Sequence, residues 1–256
     1  MIDLAAQVLD LTHQGFMIAF AVFLRVGAMV SVMPGFGESY LTTRVKLAMA
    51  LAFTAVVAPA VSPDLMGLPH ENGLDVILPE TAIGLLIGVI MRMFMYALQT
   101  AGMIIAQATS LAQMFGMGGE SQPAVGFMLS MAGVALAFAM GLHVQAAELM
   151  IGSYQAFPFA QFPAPDLVRD WGVAGVAKAF RLAFSIAMPF VVLGLVYNAA
   201  LGVINRAMPQ LMVAMVGAPA ITLGGILLMA VALPTGLVVW REAFGDFLFN
   251  PLSVMR

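Results

Sequence analysis

His143 and Glu148 are the residues of this chain whose types and spacing come closest to a hydrolytic site. They lie five residues apart in one apolar segment. A zinc hydrolase needs two histidines one helical turn apart and a general base beside them. The other histidines are His13 and His70, so no pair has that spacing. We therefore predict no catalytic residues, no metal site and no cofactor. We expect His143 to be buried and hydrogen-bonded to a neighbouring helix, while one carboxylate alone gives a proton path little support.

The glycine-rich segment 116–119 has some likeness to a phosphate-binding loop. A P-loop needs a Lys followed by Ser or Thr after its glycines, and a strand before them, and this segment has neither. Nucleotide binding is therefore excluded. Met114, Phe115 and Met117 accompany these glycines, and flexible side chains on a glycine-rich tether can close an opening and move aside. Two interpretations stay open: a plain connector between two helices, or a plug.

Asn205, Arg206, Pro209 and Gln210 form a polar segment between two of the most apolar stretches of the chain. Residues 182–204 and 211–239 contain no Asp, Glu, Lys or Arg. Each stretch is long enough to cross a hydrocarbon core, which takes about 20 residues. A guanidinium at the centre of a lipid-facing helix costs ~2.5–3.5 kcal/mol or more, so such groups usually face protein or water. The segment is therefore either a turn at the membrane surface or part of a working polar site.

Arg25, Arg92 and Arg206 are isolated basic residues within or beside apolar segments. Such side chains often extend along the helix to place the charge among lipid headgroups. Together with Glu80 and Glu148, they also fit a body whose helices pack against polar subunits rather than lipid. The residues alone leave both explanations open.

The composition identifies a membrane protein with several helical spans. The chain is 62% hydrophobic and 9% charged, whereas soluble domains carry about 25% charged residues. Lipid forces each backbone donor and acceptor to pair internally, which excludes an open sheet. The chain has no cysteine, so disulfides and thiolate metal sites are excluded, and its net charge of −3 gives no basic patch for a nucleic acid.

Turn residues divide the chain into apolar blocks that should form its helices. The blocks cover about 15–33, 45–61, 78–114, 124–157, 172–207 and 211–247. The third is too long for one perpendicular span at about 1.5 Å per residue. Pro189, Pro219 and Pro234 lie inside blocks, so we expect kinked or broken helices there. Gly84 and Gly88 have the spacing that allows close helix packing, either within the chain or against partner subunits.

Four segments in register give the chain a resemblance to the FliR family of flagellar membrane proteins. FLRVGAMVSVMPGFGESYLTTRVKLAMALA resembles the family's R-x-G…P segment and the basic residues after it. LPETAIGLLIGVIMRMFMYALQTAGMIIAQ is similar to its E-x3-G-x3-G…AG-x-I-I-x-x-Q segment. GLHVQAAELMIGSYQAFP and ALGVINRAMPQLMVAMVGAP resemble the family's G-H helix and its L-G…R-x-x-PQ segment. Two departures are Met212-Val213-Ala214 in place of Asn-Val-Phe, and Glu120-Ser121-Gln122-Pro123 in place of an Asp-Pro ending.

The resemblance implies an all-α membrane protein of long, partly broken helical hairpins, in which a FliP-like part is fused to a FliQ-like hairpin. The FliP-like part covers about residues 1–170 of a single 256-residue domain, and the hairpin covers about 171–256. The implied function is that of a non-enzymatic subunit of the flagellar type III protein export gate in the bacterial inner membrane and flagellar basal body. With FliP-like and FliQ-like subunits it would form the channel for unfolded flagellar proteins. FlhB would bind at the cytoplasmic side, with FlhA nearby.

The resemblance also suggests roles for the glycine-rich segment and the polar segment. The family's central loop contributes to a channel plug, which here covers about residues 107–123. The residues expected to form the gasket are Met114, Phe115, Gly116, Met117, Gly118 and Gly119. Asn205, Arg206, Pro209 and Gln210 are placed at the bend of the FliQ-like hairpin and are expected to contact partner subunits. Alternative functions are an injectisome export-gate subunit of the SctT type and a stand-alone secondary transporter, although the sequence shows no inverted repeat.

Overall fold

The computed structural model describes residues 2–65, 73–109, 124–208 and 213–251, and within these ranges the chain is helical with no strand. Long apolar segments fold this way because a helix satisfies every internal backbone group within the segment itself. The helices are α1 (Ile2–Val32), α2 (Thr43–Leu65), α3 (Gly73–Ala108), α4 (Ala124–Ala139), α5 (Leu142–Ala156), α6 (Pro165–Ala207) and α7 (Val213–Phe249). The all-α prediction is confirmed.

Five of these helices are long and apolar enough to cross a membrane, and α4 with α5 gives a sixth if the bent pair is one span. The apolar segment of α3 has 34 residues and that of α6 has 43. At about 1.5 Å per residue, both are longer than the ~30 Å hydrocarbon core. The prediction that the third block is too long for one perpendicular span is therefore confirmed. Helix α6 is also longer than such a span.

One apolar block, 124–157, is divided between two helices, α4 and α5. The block 124–157 divides at Met140 and Gly141, where Gly141 has a left-handed φ of 78°. Glycine adopts this conformation without steric penalty, so an apolar sequence can turn here without a polar loop. The sequence identified this block as one apolar segment and did not locate the break within it.

The internal prolines do not break their helices. Pro189 lies inside α6, and Pro219 and Pro234 lie inside α7, which both continue through them. Neighbouring groups and local adjustment in apolar bundles can accommodate the backbone group that proline leaves free. Of the two alternatives, kinked or broken helices, the broken form was wrong.

The helices group into two compact units. The first contains Met1–Arg92, Phe138–Ala174 and Asp246–Arg256, and the second contains Met93–Ala137 and Gly175–Gly245. In the first unit, α1 and α3 run parallel: Gly84 lies against the carbonyl of Arg25, Gly88 lies against Met29, and Arg92 donates to the carbonyl of Val32. The Gly84 and Gly88 spacing therefore serves packing within the chain.

Antiparallel helices build the second unit. Gly236 of α7 packs on Ile186 of α6, whereas Gly224, earlier in α7, lies near Leu193, later in α6. The two helices therefore run in opposite directions. Helices α3 and α4 are also antiparallel. There Gly102 of α3 meets Gly126 of α4, and Gly133, further along α4, lies against the earlier residues Leu98 and Met95 of α3. The expected long helical hairpins are therefore present in this unit.

We predict that Gly84→Ala destabilises the protein by about 1–3 kcal/mol, because the added methyl group overlaps the backbone carbonyl of Arg25, which cannot rotate away. The matched control is Gly172→Ala, since a Cβ at Gly172 has no neighbour within 4 Å. Thermal unfolding in detergent measures both variants. Equal unfolding midpoints for the two variants would contradict the packing assigned to Gly84.

Candidate functional site

A buried ionic cluster in the first unit is the most developed polar site among the described residues. It is centred on Arg25 of α1 and Glu80 of α3, and neither residue is exposed to solvent. Arg25 Nε donates to Glu80 Oε2 at 2.7 Å, and Nη2 donates to Oε1 at 2.9 Å. This two-bond geometry matches the planar fork of a guanidinium to a carboxylate and is the strongest form of such a pair.

The remaining donors of Arg25 bind α5 and the segment that follows it. Nη1 donates to Ser153 Oγ at 3.1 Å and to the Phe157 carbonyl at 3.2 Å, and Nη2 donates to the same carbonyl at 3.2 Å. A guanidinium has five N–H donors, and together with the two bonds to Glu80 these contacts use all five. The Arg25 charge is therefore fully compensated by the folded chain.

Glu80 is equally well satisfied. Besides Arg25, its oxygens accept from the Tyr154 hydroxyl at 3.3 Å and from the Ala160 amide at 3.0 Å. The Tyr154 ring also covers the guanidinium, with Arg25 Cζ at 3.7 Å from the ring centroid. A cation over an aromatic face is attracted by the ring quadrupole, and the attraction grows when water is absent. The carboxylate thus has four protein donors and is shielded from water.

The segment after α5 is shaped to reach this cluster. Ala160 has a positive φ of 56°, which is uncommon for a residue with a side chain, and this conformation accompanies the hydrogen bond from its amide to Glu80. Phe157, whose carbonyl accepts from Arg25, packs its ring 5.7 Å from that of Trp171. Trp171 then contacts Phe247 at 6.4 Å and donates from Nε1 to the Pro251 carbonyl. The cluster therefore also orders the start of α6 and the end of α7.

This arrangement is suited to holding helices together rather than to acting on a substrate. Every donor of Arg25 and both oxygens of Glu80 are already occupied by the protein. Removing one partner of a buried ion pair leaves an uncompensated charge, which costs about 3–5 kcal/mol. The cluster therefore makes the positions of α1, α3 and α5 strongly dependent on one another.

The sequence did not predict this pairing. We expected Arg25 to reach headgroups or polar subunits, but it is fully buried and paired within the chain. Arg92 also binds within the chain, to the Val32 carbonyl and to Glu38 at 3.5 Å. The available signal was one Arg and one Glu in separate apolar helices, since buried charges of opposite sign require each other.

The predicted partner-contact residues are only partly within the described structure. Asn205 and Arg206 lie side by side in the last turn of α6, and both are exposed. Pro209 and Gln210 lie outside the described residues, as do all the predicted gasket residues from Met114 to Gly119. None of the predicted site residues that the structure describes belongs to the Arg25 cluster.

His143 was expected to be buried, and this prediction was wrong. It lies in the first turn of α5, just after the break at Gly141, and is exposed, as is Glu148. Glu148 lines a cleft at the end of α5.

We predict that Glu80→Gln lowers the free energy of unfolding by about 3–5 kcal/mol, because it removes the charge that compensates buried Arg25. Asp166→Asn is the matched control. Asp166 also pairs with an arginine, Arg169, at 3.2 Å, but both side chains are mostly exposed, and such pairs contribute about 0–1 kcal/mol. Unfolding in detergent with a chemical denaturant measures both. A Glu80→Gln variant as stable as Asp166→Asn would contradict the role of the cluster.

Comparison with known proteins relates nearly the whole chain to one group. The family described as "Bacterial export proteins, family 1" matches residues 16–247. The flagellar biosynthetic protein FliR of Caulobacter vibrioides is 36% identical over 236 residues, which cover 90% of this chain and 94% of that protein. FliR of Escherichia coli is 28% identical over 241 residues, covering 91% and 90%, and FliR of Bacillus subtilis is 26% identical over 233 residues, covering 87% and 88%.

Proposed function

This chain belongs to the FliR family of bacterial export proteins, and we propose that it is a non-enzymatic core subunit of the flagellar type III protein export gate. One observation carries the proposal: the similarity to a relative named flagellar biosynthetic protein FliR extends over 236 residues at 36% identity. A match of this length includes the helices of both units rather than one motif. The subunit would act in the inner membrane, within the flagellar basal body.

The character of the polar groups supports a structural role. The buried cluster is saturated by contacts within the chain, so it offers no donor or acceptor to a substrate. Opening of such a gate would be a shift between closed and open states that partners and substrate bind with different affinity. In this proposal the chain provides binding surfaces for its partners and keeps a fixed conformation.

The last turns of α6 are the surface on which partner subunits are proposed to pack. Leu195 and Val203 are 71% and 69% exposed, and Gly202 beside Val203 has no neighbour within 4 Å. Asn198 and Asn205 lie exposed in the same turns. Asparagine side chains and small residues are typical of interfaces between helices in membranes. FliP-like and FliQ-like subunits are the proposed partners, with this chain completing the channel for unfolded flagellar proteins.

The antiparallel contacts of α6 with α7 support the proposal that about 171–256 is a FliQ-like hairpin. Residues up to about 170 would then correspond to the FliP-like part. The hairpin bend would contain Asn205, Arg206, Pro209 and Gln210 and would face FlhB at the cytoplasmic side, with FlhA nearby. The glycine-rich segment with Met114, Phe115 and Met117 is proposed to close the channel.

An injectisome subunit of the SctT type is the second candidate, since it requires the same kind of assembly. The names of the relatives favour the flagellar system, because the three relatives from Caulobacter, Escherichia and Bacillus are all flagellar biosynthetic proteins. A stand-alone transporter is the third candidate, and the family membership of nearly the whole chain argues against it.

We predict that co-expression with FliP-like and FliQ-like proteins of the same organism yields one complex that survives size-exclusion chromatography in detergent. Helical faces such as that of Leu195 and Val203 are expected to be covered in this complex. The matched preparation is this chain expressed alone. A well-behaved monomer that moves a small solute into liposomes, and that does not associate with the other two proteins, would contradict the export-gate function.

Charge reversal at Arg206 tests the hairpin bend. We predict that Arg206→Glu reduces co-purification of FlhB and secretion of flagellar proteins by roughly tenfold or more, because like charges brought together at an interface cost several kcal/mol. Arg206→Lys keeps the charge and is the control, and fractionation checks the membrane insertion of both variants and the parent chain. Normal motility and normal FlhB co-purification with Arg206→Glu would mean that the segment is only a surface turn.

A further inference from the structure

The end of α3 lies between α6 and α7 in the second unit. Ala108 is the last residue of α3, and Thr109 follows it. A Cβ built on Gly194 of α6 would lie 2.8 Å from the Ala108 carbonyl oxygen, and a Cβ on Gly225 of α7 would lie 2.7 Å from the Thr109 methyl carbon. Two unbonded carbon atoms prefer a separation of about 3.5–4.0 Å. Both helices therefore need glycine where they contact the end of α3.

Thr109 has one fixed orientation in this arrangement. It is fully buried, and its amide and hydroxyl both donate to the Ile105 carbonyl, at 3.0 and 2.7 Å. Threonine is branched at Cβ, so its methyl group and its hydroxyl turn together about one bond. Moving the methyl group away from Gly225 would therefore break the hydroxyl hydrogen bond in a buried position, which is costly. A methyl group added at Gly225 must instead displace the end of α3.

The two ends of residues 110–123, which contain the proposed gasket, are fixed by different helices. The chain enters these residues from Thr109 and begins α4 at Ala124. Gly126 of α4 packs on Gly102 of α3, backbone against backbone. The far end is therefore fixed by α3 itself. The near end contacts glycines of α6 and α7, so its position depends on the hairpin.

We propose that Gly194 and Gly225 are positioning residues for closure of the channel, an inference that rests on the proposed function of residues 110–123. The two glycines hold Thr109 at the point from which those residues depart, so the hairpin of α6 and α7 sets where the closing segment begins. A larger side chain at Gly225 displaces Thr109 and moves this starting point. The closing segment then no longer meets the channel in register.

Adjacent glycines of α7 provide the first test. Gly225→Ala adds a methyl group against Thr109, whereas a Cβ at Gly224 lies 4.0 Å from Leu193, which is ordinary contact. Each variant is assembled with FliP-like and FliQ-like subunits and placed in liposomes without substrate, where potassium flux measures closure. We expect Gly225→Ala to raise the flux about tenfold above the parent chain, and Gly224→Ala to leave it unchanged. Equal flux in the two variants would overturn the proposal.

A compensating variant tests whether the contact with Thr109 is responsible. Thr109→Ser removes the methyl group nearest Gly225 and keeps the hydroxyl that binds Ile105. Combined with Gly225→Ala, it should remove most of the excess flux. If Gly225→Ala alone does not assemble, the double variant should assemble. A double variant that leaks as much as Gly225→Ala, or that also fails to assemble, would overturn the proposal.

Gly84→Ala separates positioning from a general loss of stability. It introduces a comparable overlap in the first unit, against the Arg25 carbonyl. We expect it to lower the unfolding midpoint without raising the flux of the assembled complex. Flux as high in Gly84→Ala as in Gly225→Ala would show that any destabilised chain leaks, and would overturn the positioning role.

The parent chain distinguishes failure of this inference from failure of the proposed function. A parent chain that forms no complex with FliP-like and FliQ-like subunits contradicts the export-gate function, and the positioning role fails with it. A parent complex that is closed to potassium, with Gly225→Ala equally closed, contradicts the positioning role alone. In the chain by itself, unfolding in detergent measures whether Thr109→Ser restores the stability lost in Gly225→Ala. Additive losses there would show that the two residues are not in contact.

Discussion

The pairing of Arg25 with Glu80 is the interaction on which the first unit depends. A charged group removed from water must be compensated by its surroundings, because an isolated buried ion costs several kcal/mol or more. The chain provides this compensation from α1, α3, α5 and the segment after α5. The pair also brings two helices close together, which explains why Gly84 has only a hydrogen atom where it meets the Arg25 carbonyl. One electrostatic requirement thus accounts for packing at several positions.

The indole N–H groups of the two tryptophans are likewise hydrogen-bonded within the chain. Trp171 donates to the Pro251 carbonyl in the first unit, and Trp240 donates to the Phe94 carbonyl in the second. Each indole is buried among aromatic rings, at 5.7 Å from Phe157 and 5.0 Å from Phe244 respectively. Groups that would be costly if left unpaired in an apolar body therefore serve as links between helices. Such links help to hold the helices of each unit in fixed positions.

The sequence predicted the features that follow from local composition. Apolar blocks became helices, and the polar residues from Asn205 onward mark the end of α6. It did not predict the break at Gly141, because a single left-handed glycine needs no polar neighbours. Nor did it predict the Arg25 cluster, whose two ions are 55 residues apart and whose other members include backbone groups of Phe157 and Ala160. Long-range partners of this kind depend on which helices are adjacent, and that is decided by the whole fold.

A double-mutant cycle between Arg25 and Glu80 tests the central claim most directly. Arg25→Met, Glu80→Leu and the double variant are compared with the parent chain by denaturant unfolding in detergent. If the two side chains compensate each other, the stability lost by the double variant is smaller than the sum of the losses of the two single variants. The difference, the coupling energy, is expected to be about 2–3 kcal/mol. Losses that add within about 0.5 kcal/mol would show that the residues act independently and would contradict the account.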